Sequence, residues 1–157
     1  MNAQTYNHAR GHQKNCNVGG IVGAIHVTVS LRANQKSRKK YEADFLVDTG
    51  ATDSLAPASK LKKAGISRSG RMNYELADGS TAEYDFGLAV IEFMGDLTAG
   101  RVIFGPDDCE PLLGVTALES VGITVDPANR QLKRLPAIPL KGGRGRGRFL
   151  AIASRST

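Results

Sequence analysis

An all-β domain is the fold class this sequence predicts, and three observations carry the prediction. Apolar residues alternate with polar ones over several short runs, which is the period of a strand with one face buried. Eighteen glycines and no tryptophan in 157 residues favour short strands joined by tight turns over a helical bundle. Turn-forming clusters such as Ala77-Asp78-Gly79-Ser80 fall between the runs. At roughly 100 to 200 residues per domain, the length fits one compact domain plus whatever the ends add.

The elements follow in order. In GGIVGAIHVTVSLRA (19–33), Ile21, Gly23, Ile25, Val27, Val29 and Leu31 fall on one face of a strand, with His26 half-exposed on the other. NQKSRKK (34–40) is a charged turn, and YEADFLV (41–47) is a second strand that pairs back on the first. FLVDTGATDSLAP (45–57) carries that apolar run to Asp48 and then enters a polar turn. PASKLKKAGI (57–66) reads as a helix of one to two turns with Gly65 as its stop. In RMNYELADGSTAEYDFGLAVIEF (71–93), Tyr74 and Leu76 lead into a turn at Gly79, and Tyr84, Phe86, Leu88 and Val90 continue the period of two. LTAGRVIF (97–104) is another strand. LLG (112–114) ends an apolar strand, VTALESV (115–121) is a short helix stopped by Gly122, and GITVDPANRQLKRL (122–135) is a hairpin turned at Pro127-Ala128-Asn129.

Charge divides the chain. The net charge is +6, but residues 1–41 hold seven basic and no acidic side chains, and residues 141–157 hold five basic and no acidic ones. The body between them has nine basic against fifteen acidic groups and is acidic. The glycine-arginine tail KGGRGRGR (141–148) could screen against nucleic acid, yet so few aromatics accompany it that disorder without a dedicated partner is the preferred reading. Residues 1–18 read as a disordered leader, 19–138 as the folded domain and 139–157 as a basic disordered tail. Cys16 and Cys109 lie far apart with no CxxC partner, which indicates neither a disulfide framework nor a zinc site and fits the reducing cytoplasm. Cys109 reads as a surface or half-buried thiol without a role. His8, His12 and Cys16 recur every four residues, but Asn, Gly and Gln surround them and an unstructured leader is favoured over a metal site. No apolar run approaches a membrane span, and the polar start lacks a signal-peptide core.

Asp48 is the residue that asks for chemistry. A carboxylate closing an apolar strand is costly to desolvate, so it pairs, caps or reacts. No lysine or arginine lies nearby in sequence. Gly50 removes a side chain where backbone must come close, and Thr49 offers a hydroxyl to pin a tight loop. The bland alternative is an Asx-type turn before PASKLKK.

FLVDTGAT resembles the active-site loop of the retropepsin-like aspartic proteases, and PLLGVTAL (111–118) resembles their second signature. DTG alone turns up by chance in roughly a few per cent of chains of this length. The ordered set carries the likeness: apolar strand, DTGAT, a glycine-turned hairpin about thirty residues on, PLLG, a short helix and GITVDPANRQLKRL. It resembles the small bacterial branch most closely and covers about residues 20 to 136.

The resemblance implies a closed acid-protease barrel of six to seven strands with one short C-terminal helix and a flap hairpin. It implies one catalytic carboxylate, Asp48, in a chain that must meet a second copy to form a pair, since Asp78 lacks a preceding apolar run and falls where the family places its flap. By the same likeness Thr49 holds the two loops across the dimer, Gly50 and Ala51 line the floor under a peptide or protein substrate, Thr52 completes the loop, and Leu76, Ala77, Asp78, Gly79 and Ser80 form the flap. Leu112, Leu113 and Gly114 form the second signature, in which Gly114 serves packing beneath the loop. Neither metal nor cofactor is implied. Retroviral members carry an acidic residue two positions after the DTG glycine and an arginine after the second-signature glycine; here these are Thr52 and Val115, an apolar substitute for an ion pair. Three functions therefore compete: a homodimeric aspartic endopeptidase, a peptide-binding or dimerisation module without turnover, and a nucleic-acid-associated protein working through the tail.

Overall fold

The computed structural model describes residues 24 to 138. The leader, the basic tail, the His8, His12 and Cys16 spacing, and the Ile21 and Gly23 positions of the first expected strand lie outside them. Among the described residues, nine strands and two short helices run in the order β1 (His26–Arg32), β2 (Tyr41–Asp48), β3 (Ser54–Pro57), α1 (Ala58–Lys63), β4 (Arg68–Glu75), β5 (Thr81–Phe93), β6 (Asp96–Gly105), β7 (Leu112–Gly114), α2 (Val115–Ser120), β8 (Ile123–Asp126) and β9 (Gln131–Arg134). The main sheet is ordered β1-β2-β7-β3-β6-β5-β4, and β1 pairs again with β5. Six strands thus close into a barrel, with β4 attached outside on β5. The closed all-β barrel implied by the resemblance is the one found.

Turn chemistry explains four of the reversals among the described residues. Gly65, Gly79 and Gly122 stand at φ of 80°, 78° and 69°, where a side chain would be strained, and they end α1, turn the β4–β5 hairpin and end α2. The β8–β9 turn is held by the Asp126 carboxylate, which accepts hydrogen bonds from the backbone N–H groups of Ala128 and Asn129.

Burial follows the alternation in the first halves of β1 and β2 and then becomes continuous, with Val29, Ser30 and Leu31 inside in β1 and Phe45 and Leu46 inside in β2. Val29, Leu31 and Phe45 meet Ile91, Phe93, Val102, Phe104, Leu113 and Leu118 in one core. Three sequence expectations are corrected. The stretch after Asp48 is not all turn: Ser54–Pro57 is a strand, parallel to β6 and antiparallel to β7. In the second half of β5 the buried residues are Ala89, Ile91 and Phe93, while Leu88 is 60% exposed. This follows from β5 pairing with both β1 and β6 there, which turns its odd-numbered side chains inward. Cys109 is buried, with its Sγ close against Gly105. His26 is exposed and its Nε2 pairs with Glu110 at 2.9 Å.

Candidate active site

Strand pairing brings the two sequence signatures together. β2 runs parallel to β7 with Leu46 opposite Leu112, Val47 opposite Leu113 and Asp48 opposite Gly114. The register is fixed because Phe45 and Leu113 must both face the core, and a slip of one residue would expose them. Asp48 therefore stands at the end of a strand whose neighbour is locked beside it.

Beyond Asp48 the chain is tied to the second signature bond by bond. The N–H groups of Val115 and Thr116 donate to the carbonyls of Ala51 and Thr52 at 2.8 and 3.2 Å, and the Gly114 N–H donates to Ser54 Oγ at 3.1 Å. Ser54 is 2% exposed, so this hydroxyl is a buried acceptor with a defined duty. Gly114 is needed for contact: a Cβ there would lie 2.5 Å from the Asp53 carbonyl carbon and 2.7 Å from the Thr52 oxygen. These backbone hydrogen bonds, one from Val115 to Ala51 and one from Thr116 to Thr52, join the loop to the start of α2.

Asp48 itself is half-buried. Its Oδ1 accepts a hydrogen bond from the Gly50 N–H at 2.9 Å. A Cβ on Gly50 would come within 3.2 Å of the same oxygen, so a larger residue would push the carboxylate. The Asx-type turn is therefore present, and its hydrogen bond fixes the orientation of the Asp48 carboxylate. Thr49, Gly50 and Thr52 are exposed in the single chain and Ala51 is half-buried. The surface depression of about 210 Å³ lined by Arg32, Gln35, Val90, Glu92, Gly95, Asp96 and Leu97 does not include this loop.

The hairpin tip is built from Leu76 to Ser80. Leu76 N–H donates to the Ser80 carbonyl at 2.7 Å and Gly79 N–H to the Leu76 carbonyl at 2.8 Å. Asp78 Oδ1 accepts from the Ser80 N–H at 2.9 Å, which makes Asp78 a turn residue. Ala77, Asp78 and Gly79 are exposed.

The sequence does not single out Asp53, at the end of the loop, or its neighbours Tyr74 and Arg101 as site residues. Asp53, with a side chain 10% exposed, accepts a hydrogen bond from the Tyr74 hydroxyl at 2.9 Å, and Arg101 Nη1 lies 3.9 Å from the same Oδ2. Burial pushes the Tyr74 phenol up to about 12, with the Asp53 hydrogen bond and charge adding to it and Arg101 opposing. Asp53 stands five residues past Asp48 in FLVDTGATDSLAP, a signal that was available, but its partners come from β4 and β6. Among the described residues no cluster of three His, Cys, Asp or Glu side chains could hold a metal ion, and no helix is long and apolar enough to cross a membrane.

No family model and no curated protein matches the sequence. Among solved structures the chain is similar to the EIAV protease complexed with an inhibitor, at 17% identity over 66% of this chain and 93% of that one, with a TM-score of 0.48. It is similar to a retropepsin-like aspartic protease from Rickettsia conorii at 21% identity over 64% and 76%, TM-score 0.46. A third similarity is to the retroviral protease-like domain of Ddi1 from Leishmania major, at 16% identity over 71% and 90%, TM-score 0.43. The closed barrel, its element order and the pairing of Asp48 beside Gly114 make the fold retropepsin-like.

Proposed function

We propose that the protein is an aspartic endopeptidase whose active site forms when two copies bring their Asp48 carboxylates together. The observation that carries this reading is the in-register pairing of Asp48 with Gly114, which holds one carboxylate on a loop braced by the second signature. A single chain supplies one such group. Two carboxylates at contact distance share a proton, so one takes a proton from a bridging water while the other, protonated, polarises the scissile carbonyl. The water attacks the carbonyl carbon, and the proton returns to the leaving amine. Thr49 and Gly50, exposed beside Asp48, are the groups available to a second copy and to a peptide backbone. The hairpin tip at Leu76 to Ser80 is the cover over an extended substrate.

The test is cleavage of a mixed peptide pool by the full chain. Activity that disappears in Asp48→Asn and is blocked by statine-containing inhibitors supports the reading; undiminished cleavage by the variant removes it. The charge-free positions Thr52 and Val115 favour a second reading, a peptide-binding module without turnover. Peptide binding by a strictly monomeric, proteolytically silent chain is the result that selects it.

A further inference from the structure

The β4–β5 hairpin projects from the barrel. β5 joins β6 only from Phe86 onward, so residues 81–85 pair with β4 alone, and among the described residues β4 has no strand on its other side. A two-stranded ribbon is marginally stable by itself and needs a packing partner to hold a position. One cluster provides it. The Tyr74 hydroxyl bonds to Asp53 at 2.9 Å, Arg101 of β6 faces the same oxygen at 3.9 Å, and the Arg101 guanidinium lies 5.1 Å over the Phe86 ring and 3.1 Å from Met72 Sδ. Tyr84 meets Tyr74 edge-on with centroids 6.4 Å apart. Around them Arg71, Asn73, Glu75 and Glu83 are exposed.

We propose that Tyr74, Asp53 and Arg101 form a latch that fixes the projecting hairpin against the loop carrying Asp48, with Tyr74 and Arg101 acting as positioning residues. Asp53 is the hinge point because it belongs to the loop, is nearly enclosed, and is approached by a polar group from each of two other strands. The 2.9 Å hydrogen bond is the stronger tie, and Arg101 balances the carboxylate's charge at longer range. The latch deepens the reading of the hairpin as a substrate cover and rests on it for its purpose. Its existence does not depend on turnover.

Amide hydrogen exchange on the full chain tests this. Tyr74→Phe keeps the ring and removes the donor, and residues 71–85 are expected to exchange about tenfold faster while the β8–β9 hairpin is unchanged. Asp53→Asn keeps an acceptor without the charge and gives a smaller rise. The double variant exchanges more slowly than the sum of the two single effects would give, because both substitutions act on the Tyr74–Asp53 bond. In alkaline titration, the late-titrating tyrosine shifts back toward the ordinary range in Asp53→Asn. Unchanged exchange in Tyr74→Phe, or additive effects in the double variant, overturns the proposal. If Asp53→Asn does not fold, Arg101→Gln takes its place with the same expected direction. Asp48→Asn leaves hairpin exchange as it is, so loss of the proposed cleavage and loss of the latch are read separately.

Discussion

A methyl group at Gly114 would collide with backbone, since the nearest atoms, at 2.5 to 2.7 Å, are the Asp53 and Thr52 carbonyls. Backbone cannot swing away as a flexible side chain can, and the same segment presents Asp48. Gly114→Ala is expected to cost about 2 kcal/mol, read as a lower urea midpoint. Gly100 is the control, because a Cβ there meets Ile91 Cδ1 at 3.6 Å, ordinary contact, and Gly100→Ala should stay within about 0.5 kcal/mol. Ser54→Ala strands the Gly114 N–H in the interior and should cost about 1 to 3 kcal/mol by the same measurement. Gly114 could be picked out from the PLLG pattern alone. Ser54 could not: a serine after a turn reads as polar surface, and its 2% exposure depends on β7 arriving from sixty residues away.

Most of the elements legible in the sequence carry their signal locally, although β7 is legible from LLG with partners about sixty residues away. β1 and β2, the β4–β5 hairpin, β8 and β9, and both helices are announced by period-two alternation or by a stopping glycine. β3 is not announced by its residues, because it is four residues long, ends in Pro57, and takes its meaning from β6 and β7, which arrive much later in the chain. The hairpin's own electrostatics make it sensitive at both ends of the pH scale. Arg71 donates to Asp85, with Arg68 on its other oxygen, and these hold the Asp85 carboxyl below its usual range. A depressed carboxyl contributes stability above its unfolded value of 3.8, and that contribution is lost as pH falls through the lower folded value. Tyr74 runs the opposite way. Its folded value is raised to about 12 from 10.0, so its contribution is present below pH 10 and is lost as pH climbs toward 12. Local exchange protection of residues 71–85 should therefore fall in acid below about pH 4 and again in strong alkali. Asp85→Asn should remove the acid limb alone and Tyr74→Phe the alkaline limb alone; a single loss shared by both variants would contradict the assignment.

At the scale of the whole molecule, the barrel sets one carboxylate, Asp48, beside the second signature, while three other aspartates that sit in turns and loops are engaged elsewhere. Asp78 and Asp126 are occupied as acceptors in their own turns, and Asp53 is held by Tyr74. This division of labour follows in part from contacts that bring distant strands together, which is why the sequence could point to Asp48 but not to what Asp53 does. If two copies share the chemistry, mixing must have a numerical signature. Adding an equal amount of Asp48→Asn to active protein, under conditions where chains exchange freely and dimers saturate, leaves roughly a quarter of all dimers with two intact carboxylates. The dimer number has doubled, so total activity should fall to about half, although no active chain was removed. A chain that works alone would keep its full activity in the same mixture. Dilution adds the second constraint, since activity per chain should drop once the concentration passes below the dimer dissociation constant and should recover on reconcentration. Activity that is indifferent to both mixing and dilution would place the reaction within one chain, and the single Asp48 could not then act as half of a pair.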